Sequence, residues 1–173
     1  MLHCKARREA RRNAAGAYVP LSEQDPARWS RPLIQEAEHL LAEPAQAGRP
    51  GRFQLEAAIQ SVHARRAVTG VTDWEAVAVL YEGLARTAPT VGAFVGRAAA
   101  VAEARGGTKG LALLGETPAD TASRYQPYWA LAAHLLTRLG RPAEAAGAYD
   151  RAIGLSQDPA TRDYLVARRR RLS

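Results

Sequence analysis

A 34-residue unit near the C-terminal end constrains the fold more than any other feature of this 173-residue chain. From Gln126 to Pro159 it reads QPYWALAAHLLTRLGRPAEAAGAYDRAIGLSQDP. Trp129, Ala132, Ala133 and Leu136 fall on one face of a first helix, because residues three and four apart share a face. Gly140 stands where that helix must end in a left-handed cap, and Pro142 suits the first turn of the next helix. The second helix places Ala145, Tyr149, Ala152 and Ile153 on one stripe. The small alanines let the two helices approach closely, and Trp129 and Tyr149 are expected to fill the wider spaces of the core.

Trp129, Gly140, Ala145, Tyr149 and Ala152 occupy positions that resemble those of the tetratricopeptide repeat, a helix–turn–helix of about 34 residues. Ala132-Ala133 replaces its Leu-Gly pair, and Pro159 comes two places late. Stepping back by the same period from Gly140 reaches the breaker Gly106-Gly107 and then Thr72, at the start of another helix. From Tyr149 it reaches Gly115 and then Tyr81. The expected units are 58–91, 92–125 and 126–159, with a C-terminal helix after them. In the first, Val77, Tyr81 and Leu84 face the core, and Thr72-Asp73-Trp74-Glu75 reads as a capping box that satisfies free backbone amides. Pro89 terminates it. The middle unit is degenerate, with Gly115 and Pro118 in place of an aromatic and a small residue and a short second helix over 109–114.

Upstream, residues 1–57 read as N-terminal helices that cap the first repeat, since the end of a solenoid must cover its apolar face. A basic helix is expected over 1–15, ended by Ala15-Gly16. A turn-rich stretch then leads to a helix running to about Glu43, with Leu33, Ala37, Leu40 and Leu41 inward. Gly48-Arg-Pro-Gly51 forms a turn, and Phe53, Leu55, Ala58, Ile59 and Val62 stripe the next helix. The whole is expected to be all-α: a short α-solenoid of tetratricopeptide-like hairpins with N-terminal capping helices, one compact domain overall. Ala, Leu, Val and Arg dominate, a bias that suits helices.

No window approaches 18 uninterrupted apolar residues, so no membrane span is expected. The N-terminus lacks the apolar core of a secretory signal, and the lone Cys4 fits a reducing cytoplasm. The net charge of +7 sits at the ends. Lys5, Arg7, Arg8, Arg11 and Arg12 against Glu9 carry +4, and Arg162 with Arg168, Arg169, Arg170 and Arg171 against Asp163 carry another +4. Such ends attract nucleic acid or an acidic protein surface, or are solvated helix faces whose arginines complement a helix C-terminus.

Leu2-His3, Ala6-Arg7-Arg8, Leu21-Ser-Glu-Gln-Asp-Pro-Ala-Arg-Trp29, Leu33-Ile34, Gln54-Leu-Glu-Ala-Ala-Ile59, His63-Ala64, Thr72-Asp-Trp74 and Leu80-Tyr81 follow a recognisable order. In it the chain resembles the C-terminal, repeat-containing extension of bacterial extracytoplasmic-function sigma factors, over essentially all 173 residues. The most specific element is Gln24-Asp25-x-x-x-Trp29, although members usually carry a more acidic version where Pro26 and Ala27 stand here. The resemblance implies control of sigma activity through contacts with sigma-2 and sigma-4 modules or core RNA polymerase. Those modules are not among these residues, so the chain is expected to be a fragment or a free-standing relative that reads no promoter by itself.

Gln24, Asp25, Arg28 and Trp29 are the candidate protein contacts, with a structural alternative. Ser22 or Asp25 can cap the following helix, Pro26 suits its first turn, and Trp29 can pack against the N-terminal helix. The alternative function is nucleic-acid binding, non-specific and through phosphates, by Arg7, Arg8, Arg11, Arg12, Arg168, Arg169, Arg170 and Arg171. A free-standing tetratricopeptide adaptor is a third reading. His3, His39, His63 and His134 lie on separate helices, which argues against a metal site. Gly106-Gly-Thr-Lys-Gly110 lacks the spacing of a phosphate loop and reads as an inter-helix turn. No catalytic residue, cofactor or enzymatic activity is expected.

Overall fold

The structure, a computed structural model, describes residues 5–42 and 51–172, apart from the side chains at 38 and 40–42. The expected placement of Leu40 and Leu41, the turn at 48–50, and His3 and Cys4 fall outside the described residues. Among these residues the chain is all-α, with helices packed in consecutive pairs as the hairpin reading expects. They run α1 Arg31–Ala42, α2 Arg52–Thr69, α3 Trp74–Thr87, α4 Val91–Arg105, α5 Gly107–Gly115, α6 Ala119–Ala122, α7 Gln126–Arg138, α8 Pro142–Gly154 and α9 Pro159–Arg170. They fall into two compact units, Met1–Ala88 and Pro89–Ser173.

In the first unit α2 packs on α1 and on α3. The expected boundary between 57 and 58 falls inside α2, which begins at Arg52. Its buried stripe is Leu55, Ile59, His63 and Ala64. Phe53, expected inward, is 76% exposed, because it lies two places before Leu55 and so on a different side of the helix. On α3, Val77 and Leu84 are buried and Tyr81 is half-buried. The N-cap of α3 is Asp73 and not Thr72: the Ala76 amide donates to Asp73 Oδ1 at 3.0 Å.

The expected basic helix over 1–15 does not continue through its described part. Lys5 and Ala6 are helical, Glu9–Arg11 forms one 3-10 turn, and Arg12 bridges antiparallel to Tyr18. The cause is local competition for the backbone: the Asn13 side chain accepts from the amides of Ala15 and Ala17, both at 3.0 Å, and closes a turn where the helix would continue.

The second unit stacks two hairpins, α4–α5 and α7–α8, and adds α9 against α8. Its core is built largely of small residues, with Ala98, Ala133, Ala145 and Ala152 fully buried around Leu114, Tyr149 and Leu165. Gly140 adopts φ +69°, as its position as a helix stop requires, and Gly106 adopts φ +101° between α4 and α5. Trp129 is only half-buried, because the alanine contacts hold α7 and α8 too close for an indole between them. It lies at the rim instead, donating from Nε1 to the Ser123 carbonyl at 3.2 Å, with the Arg151 guanidinium 4.9 Å from its ring centre.

The middle hairpin is worn as expected, with α5 only nine residues long. The position equivalent to Tyr149 is not Gly115, however. The N-caps of α5 and α8 are Gly106 and Arg141, 35 residues apart, so the buried Leu114 takes the aromatic's place and Gly115 is exposed.

Candidate functional site

The Gln24–Trp29 segment is held on α2 by side chains that donate to backbone carbonyls. Leu21–Glu23 and Pro26–Arg28 are single 3-10 turns. Asp25 caps the second one, accepting from the Ala27 amide at 2.9 Å, and Pro26 stands at its first position. Trp29 is 3% exposed and Gln24 6%, so neither side chain offers a surface in this fold. Gln24 Nε2 donates to the Val19 carbonyl at 3.1 Å. Arg28 is exposed, yet its guanidinium donates to the carbonyls of Glu9 at 2.8 Å and Arg12 at 3.1 Å, tying the segment to the N-terminal turns. Asp25 and Arg28 are thus the members of the candidate set that reach solvent.

Arg66 on α2 completes the attachment. It donates to the Leu21 carbonyl at 2.9 Å and the Gln24 carbonyl at 3.3 Å, reaching both with one planar fork. Arg7 donates to Gln60 and lies 5.9 Å from the Trp29 ring centre. A shallow recess remains where segment, α2 and the start of α3 meet, lined by Leu21, Ser22 and Trp29, by His63 and Arg66, and by Thr72 and Trp74. It has room for about one water molecule, whereas small-molecule sites begin at roughly 300 Å³.

His63 is 8% exposed and meets the Trp74 ring edge-on at 5.4 Å between centres. Burial pushes its pKa down to about 4, helped by the charges of Arg7 and Arg66, so the imidazole is neutral at pH 7. His63 and Arg66 are absent from the candidates read off the sequence. The available signal was a histidine four places after Ile59, on the apolar stripe itself.

Arg8, Arg11 and Arg12 are exposed around the first turns, and Arg12 donates to the Gly16 carbonyl at 2.9 Å. On α9, Arg169 forms a two-pronged pair with Asp150, while Arg170 and Arg171 are exposed and Arg168 is half-buried. The pairing holds the Asp150 carboxyl below its ordinary pKa and raises that of Arg169. Among the described residues no group of three or more His, Cys, Asp or Glu side chains is placed to hold a metal ion, and no helix is long and apolar enough to cross a membrane.

No solved structure matches the chain. It is 39% identical over 163 residues to an uncharacterized protein of Rhizobium meliloti (strain 1021), an alignment that takes in 94% of this chain and 38% of that protein. The chain therefore spans less than two fifths of the length of the curated relative it matches. The profile of a family of unknown function (DUF6596) matches residues 1–45, the stretch that carries the Gln24–Trp29 segment.

Proposed function

We propose that this chain is a non-enzymatic interaction domain of a sigma-factor-like transcription protein, acting in the cytoplasm on sigma-2 and sigma-4 modules or on core RNA polymerase. The observation that carries the reading is the overlap of the resemblance and the family match on one segment. The residues with the most specific resemblance to the sigma-factor extension, Gln24, Asp25 and Trp29, lie inside the stretch matched by a family that co-occurs with sigma factors. The much greater length of the Rhizobium relative supports the same reading, since it leaves room for further modules in a protein of this kind. Stacked helical hairpins suit the role, because repeat arrays offer extended contact surfaces. In this reading Gln24 and Trp29 hold the segment in shape, and Asp25 and Arg28 are its contacts.

Purified tagged chain, mixed with sigma modules and core polymerase with and without nuclease, tests this. Recovery of either partner in both samples supports the interaction domain. Recovery lost with nuclease transfers the activity to nucleic acid held on Arg8, Arg11, Arg12, Arg170 and Arg171, with the steep salt dependence of phosphate contacts.

A further inference from the structure

Trp129 lies at the rim of the second unit and is held there from several sides. Its indole N–H is committed to the Ser123 carbonyl, and the Tyr128 ring meets it edge-on at 5.1 Å between centres. The ring packs against the core and carries the Arg151 guanidinium 4.9 Å from its centre. The other arginine–aromatic contacts among the described residues, at Trp29, Phe53 and Phe94, are all at 5.9 Å. Arg151 is therefore the cation most closely seated on a ring.

Arg151 is exposed and forms no ion pair among the described residues. In this it differs from Arg97, Arg138, Arg141 and Arg169, each paired with a carboxylate. Asp150, its neighbour in sequence, is held by both prongs of Arg169. Asp158, before α9, accepts from the amide and hydroxyl of Thr161. Arg124 is also exposed, and it directly follows the Ser123 whose carbonyl anchors the indole. The exposed acid nearest to Arg124 in sequence is Asp120, so two cations stand against one uncommitted carboxylate. Residues 89–173 as a whole carry 12 Lys and Arg against 7 Asp and Glu, a net of +5.

A guanidinium resting on an indole keeps its N–H donors in its own plane, so the contact steadies the side chain without using them. Such a fork fits a carboxylate, and it has less freedom to lose on binding than an unsupported arginine. Tryptophan and arginine are also the residues that most often carry the energy of protein contacts. A nucleobase fits less well, because it needs a bare ring to stack on, and this ring packs on the core beneath Arg151.

We propose that Arg151, seated on Trp129 and flanked by Arg124, anchors an acidic segment of a protein partner by taking an Asp or Glu carboxylate on its planar fork. The inference rests on the interaction-domain reading and adds to it a contact in the second unit.

The test uses the full chain and three probes: a short peptide of alternating glutamate and leucine, the same peptide with glutamine for glutamate, and a thymidine oligonucleotide. The indole N–H signals of Trp29, Trp74 and Trp129 are followed by NMR, and affinity by fluorescence polarisation. The glutamate peptide moves the Trp129 signal and leaves the other two in place, while the glutamine peptide moves none. Arg151→Gln weakens binding by about tenfold or more, and Arg151→Lys, which keeps the charge without the fork, loses most of the same affinity. Arg170→Gln removes an equal charge from another exposed position and weakens binding by less than about twofold. Equal losses from Arg151→Gln and Arg170→Gln, or an unmoved Trp129 signal, overturn the proposal. So does an oligonucleotide that binds more tightly than the peptide through the same Arg151. Peptide binding without capture of sigma modules or polymerase keeps the site and removes that partner. Capture without any response at Trp129 keeps the interaction domain and removes the site.

Discussion

Gly110 lies so close to Ala102 that a methyl group on the glycine would stand 2.4 Å from the alanine Cβ. The same methyl would meet the Ala98 carbonyl oxygen at 2.8 Å, so the obstruction includes backbone that cannot swing aside. This contact sets the spacing of α4 and α5.

Gly110→Ala is therefore expected to destabilise the second unit by about 1–2 kcal/mol, despite the ~1 kcal/mol that alanine gains over glycine inside a helix. Gly115→Ala is the control. Nothing lies within 4 Å of its added carbon, and it should be neutral or slightly stabilising. Urea unfolding of both variants checks the pair, and equal effects would show that the α4–α5 contact is not close.

Removing the Arg66 guanidinium should loosen the Gln24–Trp29 segment without unfolding α2. Arg66→Met keeps the aliphatic stem but removes the guanidinium donor from the Leu21 and Gln24 carbonyls. A loss of about 1–3 kcal/mol corresponds to roughly five- to 150-fold faster amide exchange at Gln24 and Trp29. Arg66→Lys should recover only part of the protection, because an ammonium cannot span both carbonyls as a planar fork does. Unchanged exchange in Arg66→Met would remove Arg66 from the attachment.

Acid should destabilise the first unit through His63. Its pKa is about 4 in the fold and 6.5 in an unfolded chain, so the unfolded state binds more protons between those values. Stability is then fully present above pH 6.5 and falls as pH drops toward 4, by about 3 kcal/mol over the window. His63→Gln should flatten that dependence. Parallel stability–pH curves for the two proteins would mean that another group carries the acid sensitivity.

The start of α3 separates two neighbouring side chains. Asp73→Ala removes the acceptor of the Ala76 amide and should cost about 1 kcal/mol. Thr72→Ala should stay within about 0.5 kcal/mol. Thermal melts rank the two, and a larger loss from Thr72 would restore the capping box.

How much of this was legible in the sequence depends on the range of the forces involved. The second unit's hairpins were readable because their determinants are local: Gly140 for the stop, Pro142 for the start, alanines three and four apart for the face. The single-residue errors at Thr72 and Gly115 have different origins: Thr72 came from reading Thr72-Asp73-Trp74-Glu75 as a capping box, where Asp73 takes the cap instead. Gly115 came from a fixed 34-residue step, which cannot register a hairpin that is one residue longer. The N-terminal turns were hidden because long-range contacts decide them. Arg28 reaches back to Glu9 and Arg12, and Ser30 donates to the Ala6 carbonyl at 2.9 Å, contacts that no helical periodicity encodes. The candidate segment was found by its order of residues, but its attachment through Arg66 and the burial of His63 required the fold.

A core lined with alanine has a one-sided mutational spectrum. Ala98, Ala133, Ala145 and Ala152 have a single methyl to lose, and their truncation removes little volume. Every enlargement at those positions instead pushes one helix off another. The second unit is thereby exposed to harm from residues that are too large, the reverse of a leucine-rich core, where harm comes from residues that are too small. Sequence drift in such an array will conserve smallness before it conserves hydrophobicity.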